Sequence, residues 1–216
     1  MSDPSVLDVP FDQLSDPKCV WVGKPGSREE GLGKLLLLTP ERVAKAAASE
    51  IKTGKRVTLG WDLNKLDEGS TERVFYGGTT KEEILDCKND RLGMQHWARA
   101  GIAVISGRGV LIDYVSWAEK KGIKYTTFSQ HEIKLTDILE IAKECNITFQ
   151  KGDILFVRIG VTKEWDHVMD ESAKKAYAAS SSPQHAGVEG TMDVLRWLWD
   201  SGFSAIAGDA ISWEVS

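Results

Sequence analysis

Apolar, β-branched runs alternate with helical periodicity along most of this chain, and that alternation restricts the fold more than any other feature. "TPERVAKAAASEIKTG" opens a helix with Thr39 at the cap, Pro40 at the first position, Glu41 in the first turn and Gly54 past its end. "KRVTLGW" follows as a strand, and "TTKEEILDCKND" starts a second helix with Thr80 and Glu83 spaced as a capping box. "LGMQHWARAG" continues the helix to Gly101, and "GIAVISGRGVLIDY" reads as a buried strand. "LTDILEIAKECN" predicts a helix capped by Thr136, "GDILFVRIG" a strand, "GVEGTMDVLRWLWDSG" a helix and "FSAIAGD" a last strand. Helix and buried strand alternate at least four times, which predicts an α/β protein with parallel or mixed strands. Residues 1–40, rich in Pro and Gly, predict an extended arm over the surface, leaving 41–216 as a single α/β domain. "AASSS", Ala178 to Ser182, reads as a mobile loop.

A length of 216 residues with 42% hydrophobic and 27% charged residues suits one ordinary globular domain. The net charge of −5 and the lack of any basic block argue against a nucleic-acid partner. The run "LLLL", Leu35 to Leu38, is too short to span a bilayer, and the acidic start "MSDPSVLDVPFDQL" lacks a leader pattern, so a cytoplasmic protein without a membrane partner is expected. Cys19, Cys87 and Cys145 form no CxxC pair and read as buried free thiols. "WLWDSGF" reads with Val194, Leu195 and Leu198 as part of a buried helix.

The histidines show no HExxH or HxH spacing. His96 lies beside Trp97 on a predicted helix, His131 just before the cap of the next one, and His167 and His185 in predicted loops beyond the strand "ILFVRIG". Such loops are where α/β proteins place their sites. Asp62, Asp113 and Asp209 each end an apolar run, where a carboxylate can act as general acid or base or can hold a loop by its N–H groups. Neither a GxSxG elbow nor a GxxxxGK[ST] phosphate loop occurs. Asp62, His131 and Asp209 are therefore the catalytic candidates, with Trp61, Tyr76, Trp165 and Trp213 as pocket walls beside them.

Five stretches, "ERVFYGGTTKEEI", "GRGVLIDYVSWAEKKGI", "HEIKLTDILEIAKE", "KGDILFVRIGVTKEW" and "HAGVEGTMDVLRWLWDSGFSAIAGDA", resemble the fungal branch of the putative cyclase family, in the superfamily of kynurenine formamidase. The resemblance runs in order from about Arg56 to Trp213. It implies a swivelling β/β/α fold, a mixed sheet with flanking helices and a homo-oligomer, a dimer or higher. It also implies a zinc or manganese ion, held by His-x-x-x-His-x-Asp or its relative Gln-Trp-Asp-Gly-x-x-His, that activates water to open an amide or lactone. That motif belongs between "WDLN" and "FYGG", where this sequence has only the acidic turn "KLDEGS". The later His and Glu ligands of the family lie past "GDAISWEVS". No metal ligand therefore carries over to a residue of this chain, and none of its own residues implies a cofactor.

The leading expectation is a small-molecule cyclase- or hydrolase-like enzyme of specialised metabolism. It would act by metal-independent acid–base chemistry: cyclisation, dehydration or isomerisation. One alternative is an arylformamidase-like amide or lactone hydrolase whose zinc or manganese ligands lie in segments outside this sequence. Another is a non-catalytic relative that binds a small molecule or another subunit.

Overall fold

The computed structural model describes residues 4–55 and 105–215. The expected strand and helices between Lys55 and Gly101, with Trp61, Asp62, Tyr76, Cys87 and His96, lie outside the described residues.

The first regular helix, α2 (Pro40–Glu50), starts where its sequence signals place it, with the Thr39 hydroxyl accepting from Arg42 N. Residues 4–37 depart from the expected extended arm. They form short helical turns at Pro4–Asp8, Phe11–Gln13 and Gly33–Leu37, and the one-turn helix α1 (Arg28–Leu32). Leu7, Val22 and Leu37 cluster there with Trp199, so apolar contact rather than local propensity shapes this segment.

Three strands form a parallel sheet in the order β1 (Gly109–Asp113), β3 (Ile154–Arg158), β5 (Ala205–Gly208), all inside the predicted apolar runs. Register aligns Val110 with Leu155 and Ile112 with Val157, and these four side chains point into the core. Between β1 and β3 the chain passes through α3 (Tyr114–Lys121), the two-residue β2 (Glu132–Ile133) and α4 (Leu135–Glu144). Between β3 and β5 it passes through α5 (Val161–His167), α6 (Glu171–Ala178), β4 (Gly187–Val188) and α7 (Met192–Asp200). Parallel neighbours require such crossovers. Strands β2 and β4 pair in parallel beside the main sheet, and Val188 bridges to Glu214. At Gly187 a Cβ would collide with the backbone of Glu214 and Val215, so that chain crossing needs glycine.

The core joins Ile112, Leu155, Val157 and Ile159 with Ile138 and Ile141 of α4 and with Val188. In α4 the buried Ile138, Ile141 and Ala142 follow i, i+3, i+4 spacing. Its cap differs from expectation. Thr136 lies inside the first turn, and the Glu189 carboxylate accepts from Leu135 N at 2.8 Å across a gap of 54 residues. On α7 Val194 is buried, but Leu195 is 44% exposed. Cys19 and Cys145 are exposed free thiols rather than buried ones, because both fall in connecting turns outside the cluster. His167 is the last residue of α5 rather than a loop residue, and helix α6 takes in Ala178 at the start of the expected loop. Among the described residues no helix is long and apolar enough to cross a membrane.

Candidate active site

Parallel strands bring their carboxyl ends to one side, and β1, β3 and β5 place Asp113, Arg158 and Asp209 there. Asp113 caps α3: one carboxylate oxygen accepts from Ser116 N at 3.1 Å and the other from Ser116 Oγ at 2.8 Å. Arg158 Nη1 donates to both oxygens, at 2.9 and 3.0 Å. Burial opposes ionisation of Asp113, but the Ser116 and Arg158 contacts outweigh it and hold the carboxyl below the ordinary range. These contacts use Asp113 as a structural acid.

Asp209 holds the turn after β3. Its Oδ1 accepts from Ile159 N at 2.5 Å, and Gly160 N donates to both oxygens at 3.1 and 2.9 Å. Gly160 has φ +105°, and a Cβ there would meet Val115 Cγ2 at 2.8 Å. A glycine and a carboxylate clamp thus fix the entry into α5 together.

The same turn leads to His131. The Ile159 carbonyl accepts from Tyr125 Oη at 2.7 Å, and the Tyr125 ring stacks on the His131 imidazole with centroids 4.4 Å apart and planes at 16°. His131 Nε2 lies 2.8 Å from Tyr114 Oη, and Tyr114 meets Tyr125 edge-on at 5.5 Å. Tyr114 is the first residue of α3, immediately past the strand residue Asp113. His131 and Asp209 are therefore joined through Ile159 and Tyr125, although 78 positions apart in number. A cleft of about 300 Å³ opens beside this unit, with Tyr125, Ile159, Gly160 and Glu164 on its wall. Glu164 is tied down by Thr127, which donates its N–H and its hydroxyl to Oε2 at 2.7 Å each.

Burial lowers the His131 pKa against a smaller raising effect of Asp137, so the imidazole is neutral at neutral pH. Burial pushes the Tyr114 phenol up to about 12, with a further push from Asp137. A protonated phenol beside a neutral ring can either donate to Nε2 or accept from Nε2–H. Burial also lowers His185, whose Nε2 lies 2.6 Å from Ser212 Oγ. The unfolded chain protonates its histidines near 6.5, whereas folded His131 and His185 do so only at lower pH. Acidification from 6.5 toward those lower values therefore favours the unfolded state, and stability is regained as pH rises back to 6.5. Urea midpoints measured downward from pH 6.5 are expected to fall, and to fall less in His185→Asn; a flat profile would contradict the assignment.

The aromatic candidates separate. Trp165 is 3% exposed and packs on Phe128 at 5.6 Å with the Lys174 ammonium above it, a core position. Trp213 packs against the main core beside Gly208, and its buried Nε1 has no hydrogen-bond partner among the described residues. Tyr114 and Tyr125 were missed by sequence reasoning. The only available signal was the polar tip of "LIDY" after an apolar run; for Tyr125 there was none, since a stacking partner is not visible in spacing.

No three His, Cys, Asp or Glu side chains converge as a metal site among the described residues. The described residues thus do not fit the metal centre that the resemblance implies.

Comparison with known proteins agrees with this architecture. A solved chain titled as the crystal structure of a novel cyclase superposes with a TM-score of 0.60, covering 88% of this chain and 77% of its own, at 18% sequence identity. At that identity the likeness shows the fold alone, a mixed α/β fold of cyclase type. No curated protein matches the chain. The family model described as putative cyclase matches residues 94–215, more than half of the sequence, from before β1 through the last residue of the Val188 neighbourhood. This chain belongs to the putative cyclase family.

Proposed function

We propose that the chain is a cyclase-like enzyme acting on a small molecule by acid–base chemistry centred on His131. The observation that carries this reading is the 2.8 Å contact between His131 Nε2 and Tyr114 Oη at the carboxyl end of the sheet. A hydroxyl both donates and accepts, so Tyr114 supports either imidazole tautomer. With Tyr114 donating to Nε2, Nδ1–H is a donor that polarises a carbonyl oxygen. With Nε2–H donating to Tyr114, Nδ1 becomes a base that takes a proton from a hydroxyl or an acidic carbon. Tyr125 holds the ring plane by stacking, and Asp209 is a positioning residue because its oxygens already face the N–H groups of Ile159 and Gly160. Ring closure, dehydration and isomerisation need such a donor and acceptor held in place.

The test is turnover of a panel of lactones, aryl formamides and β-hydroxy carbonyl compounds in excess chelator. Turnover that persists supports acid–base chemistry by the protein's own groups. Turnover silenced by chelator and restored by zinc or manganese would instead assign the chain to metal-activated hydrolysis.

A further inference from the structure

Away from the His131 unit, the N-terminal segment folds back on α7 and on the first half of β5. Three contacts set its position. Arg196 pairs with Asp12, with Nη2 to Oδ1 at 2.9 Å; Trp199 Nε1 donates to the Val9 carbonyl at 2.7 Å; and Phe11 N donates to Asp200 Oδ1 at 2.8 Å. Between these elements lies a groove of about 510 Å³, within the range of small-molecule sites. Leu195, Leu198, Phe203 and Ile206 form its apolar walls, and no acidic side chain is among the described residues that line it.

Two cations stand in it. The Lys34 ammonium sits 4.4 Å from the Trp199 ring centroid and reaches the Leu198 and Trp199 carbonyls at 3.4 and 3.2 Å. Lys18 enters from the Phe11 side, 5.6 Å from that ring, but its ammonium donates to the Leu14 carbonyl at 2.6 Å and pairs with Asp16 at 3.6 Å, so Lys34 carries the site. Among the described residues no carboxylate lies within ion-pair distance of Lys34. Burial draws its amine down to about 8 against the raising pull of Asp200, whose carboxylate is engaged by Phe11 N. Closing the last turn of α7 uses two of the three ammonium protons at long range. The groove is thus an apolar concavity with a cation on its wall. Its complement is an apolar body carrying one negative charge.

We infer that this groove is a second ligand site, which takes a small organic carboxylate with its anionic end against Lys34 and its apolar body between Leu195 and Ile206. None of the residues of the His131 unit lines it, so the inference stands apart from the proposed chemistry.

Calorimetric titration of the full chain with 1-naphthylacetate and with the uncharged 1-naphthylacetamide tests it. The acid is expected to bind one molecule per chain and at least about tenfold more tightly than the amide, a factor one charge pair can supply. Lys34→Met is expected to abolish that preference. Should its loss from the end of α7 unfold the chain, Leu195→Glu changes an exposed position and places a repelling charge at the site. It is expected to weaken the acid at least about tenfold and the amide less. Equal affinity for acid and amide, binding of neither, or a Leu195→Glu chain that holds the acid as tightly as the parent would overturn the inference.

Discussion

Asp153→Ala is expected to cost about 1.5–3 kcal/mol, the range for hydrogen bonds made to a charged group. Asp153 is 2% exposed and stands at the entry to β3. Its carboxylate takes Arg108 Nε at 2.8 Å and Nη2 at 2.6 Å, a two-point contact, and Gln150 N at 2.7 Å. Its carbonyl accepts from Ser204 N at 2.9 Å, just ahead of β5. One residue thus ties together the starts of all three strands, since Arg108 immediately precedes β1. Donating to the Asp153 carboxylate raises the Arg108 pKa against the opposing effect of burial. Alanine would remove both Arg108 bonds and the one from Gln150 N, while Arg108 Nη2 keeps the Thr148 carbonyl at 2.6 Å. Against a total stability of about 5–15 kcal/mol for a domain, such a loss is a sizeable fraction. By contrast, Lys121→Ala removes ion pairs to Glu140 and Glu144 whose side chains are 39–47% exposed, and solvent screening leaves such a change little effect on stability. Urea titration of both variants checks the contrast; a loss under about 1 kcal/mol at Asp153 would contradict it.

His131→Ala is expected to lower kcat by about 10²–10⁴, the usual contribution of a positioned acid–base group. Tyr114→Phe keeps the ring against Trp117 and Tyr125 but removes the hydroxyl that orients the imidazole. One hydrogen bond of about 0.5–1.5 kcal/mol corresponds to a loss of roughly two- to twelvefold. The ordering matters more than either figure: a catalytic histidine outweighs its orienting partner. Steady-state kinetics on any substrate from the panel measures both. Similar small losses in the two variants would assign His131 to packing.

The sheet was legible because its signals are local. Pro40 after Thr39 starts α2, and "GVLID", "ILFVR" and "AIAG" are apolar runs of strand length with chemistry at their ends. What escaped sequence reading depends on distant partners. Strands β2 and β4 have two residues each, too short for any periodicity, and exist because Glu132 and Ile133 find Gly187 and Val188. Thr136 has the right chemistry for a cap, yet Glu189 arrives from the far side of β4 to do that work. Helix α5 begins after Gly160 with no side-chain cap, so nothing in "GVTKEW" announces it. The N-terminal turns follow from burial against α7 rather than from propensity.

The site divides in the same way. His131 and Asp209 were visible as polar residues beside apolar runs, but their difference in role was not. Asp209 faces three N–H contacts from Ile159 and Gly160, whereas His131 faces a phenol and a stacked ring. The number and kind of neighbours decide whether a polar group holds the backbone or can exchange protons, and spacing in sequence carries neither.

The pH dependence of kcat/KM for the parent chain and for His131→Ala tests the central claim most directly. Burial holds the His131 pKa below its ordinary 6.5, so the neutral imidazole persists above that value and is lost on acidification. The parent is expected to show an acidic limb with its midpoint below 6.5, absent from the residual activity of the variant. An identical acidic limb in both chains, or none in the parent, would contradict proton transfer by His131.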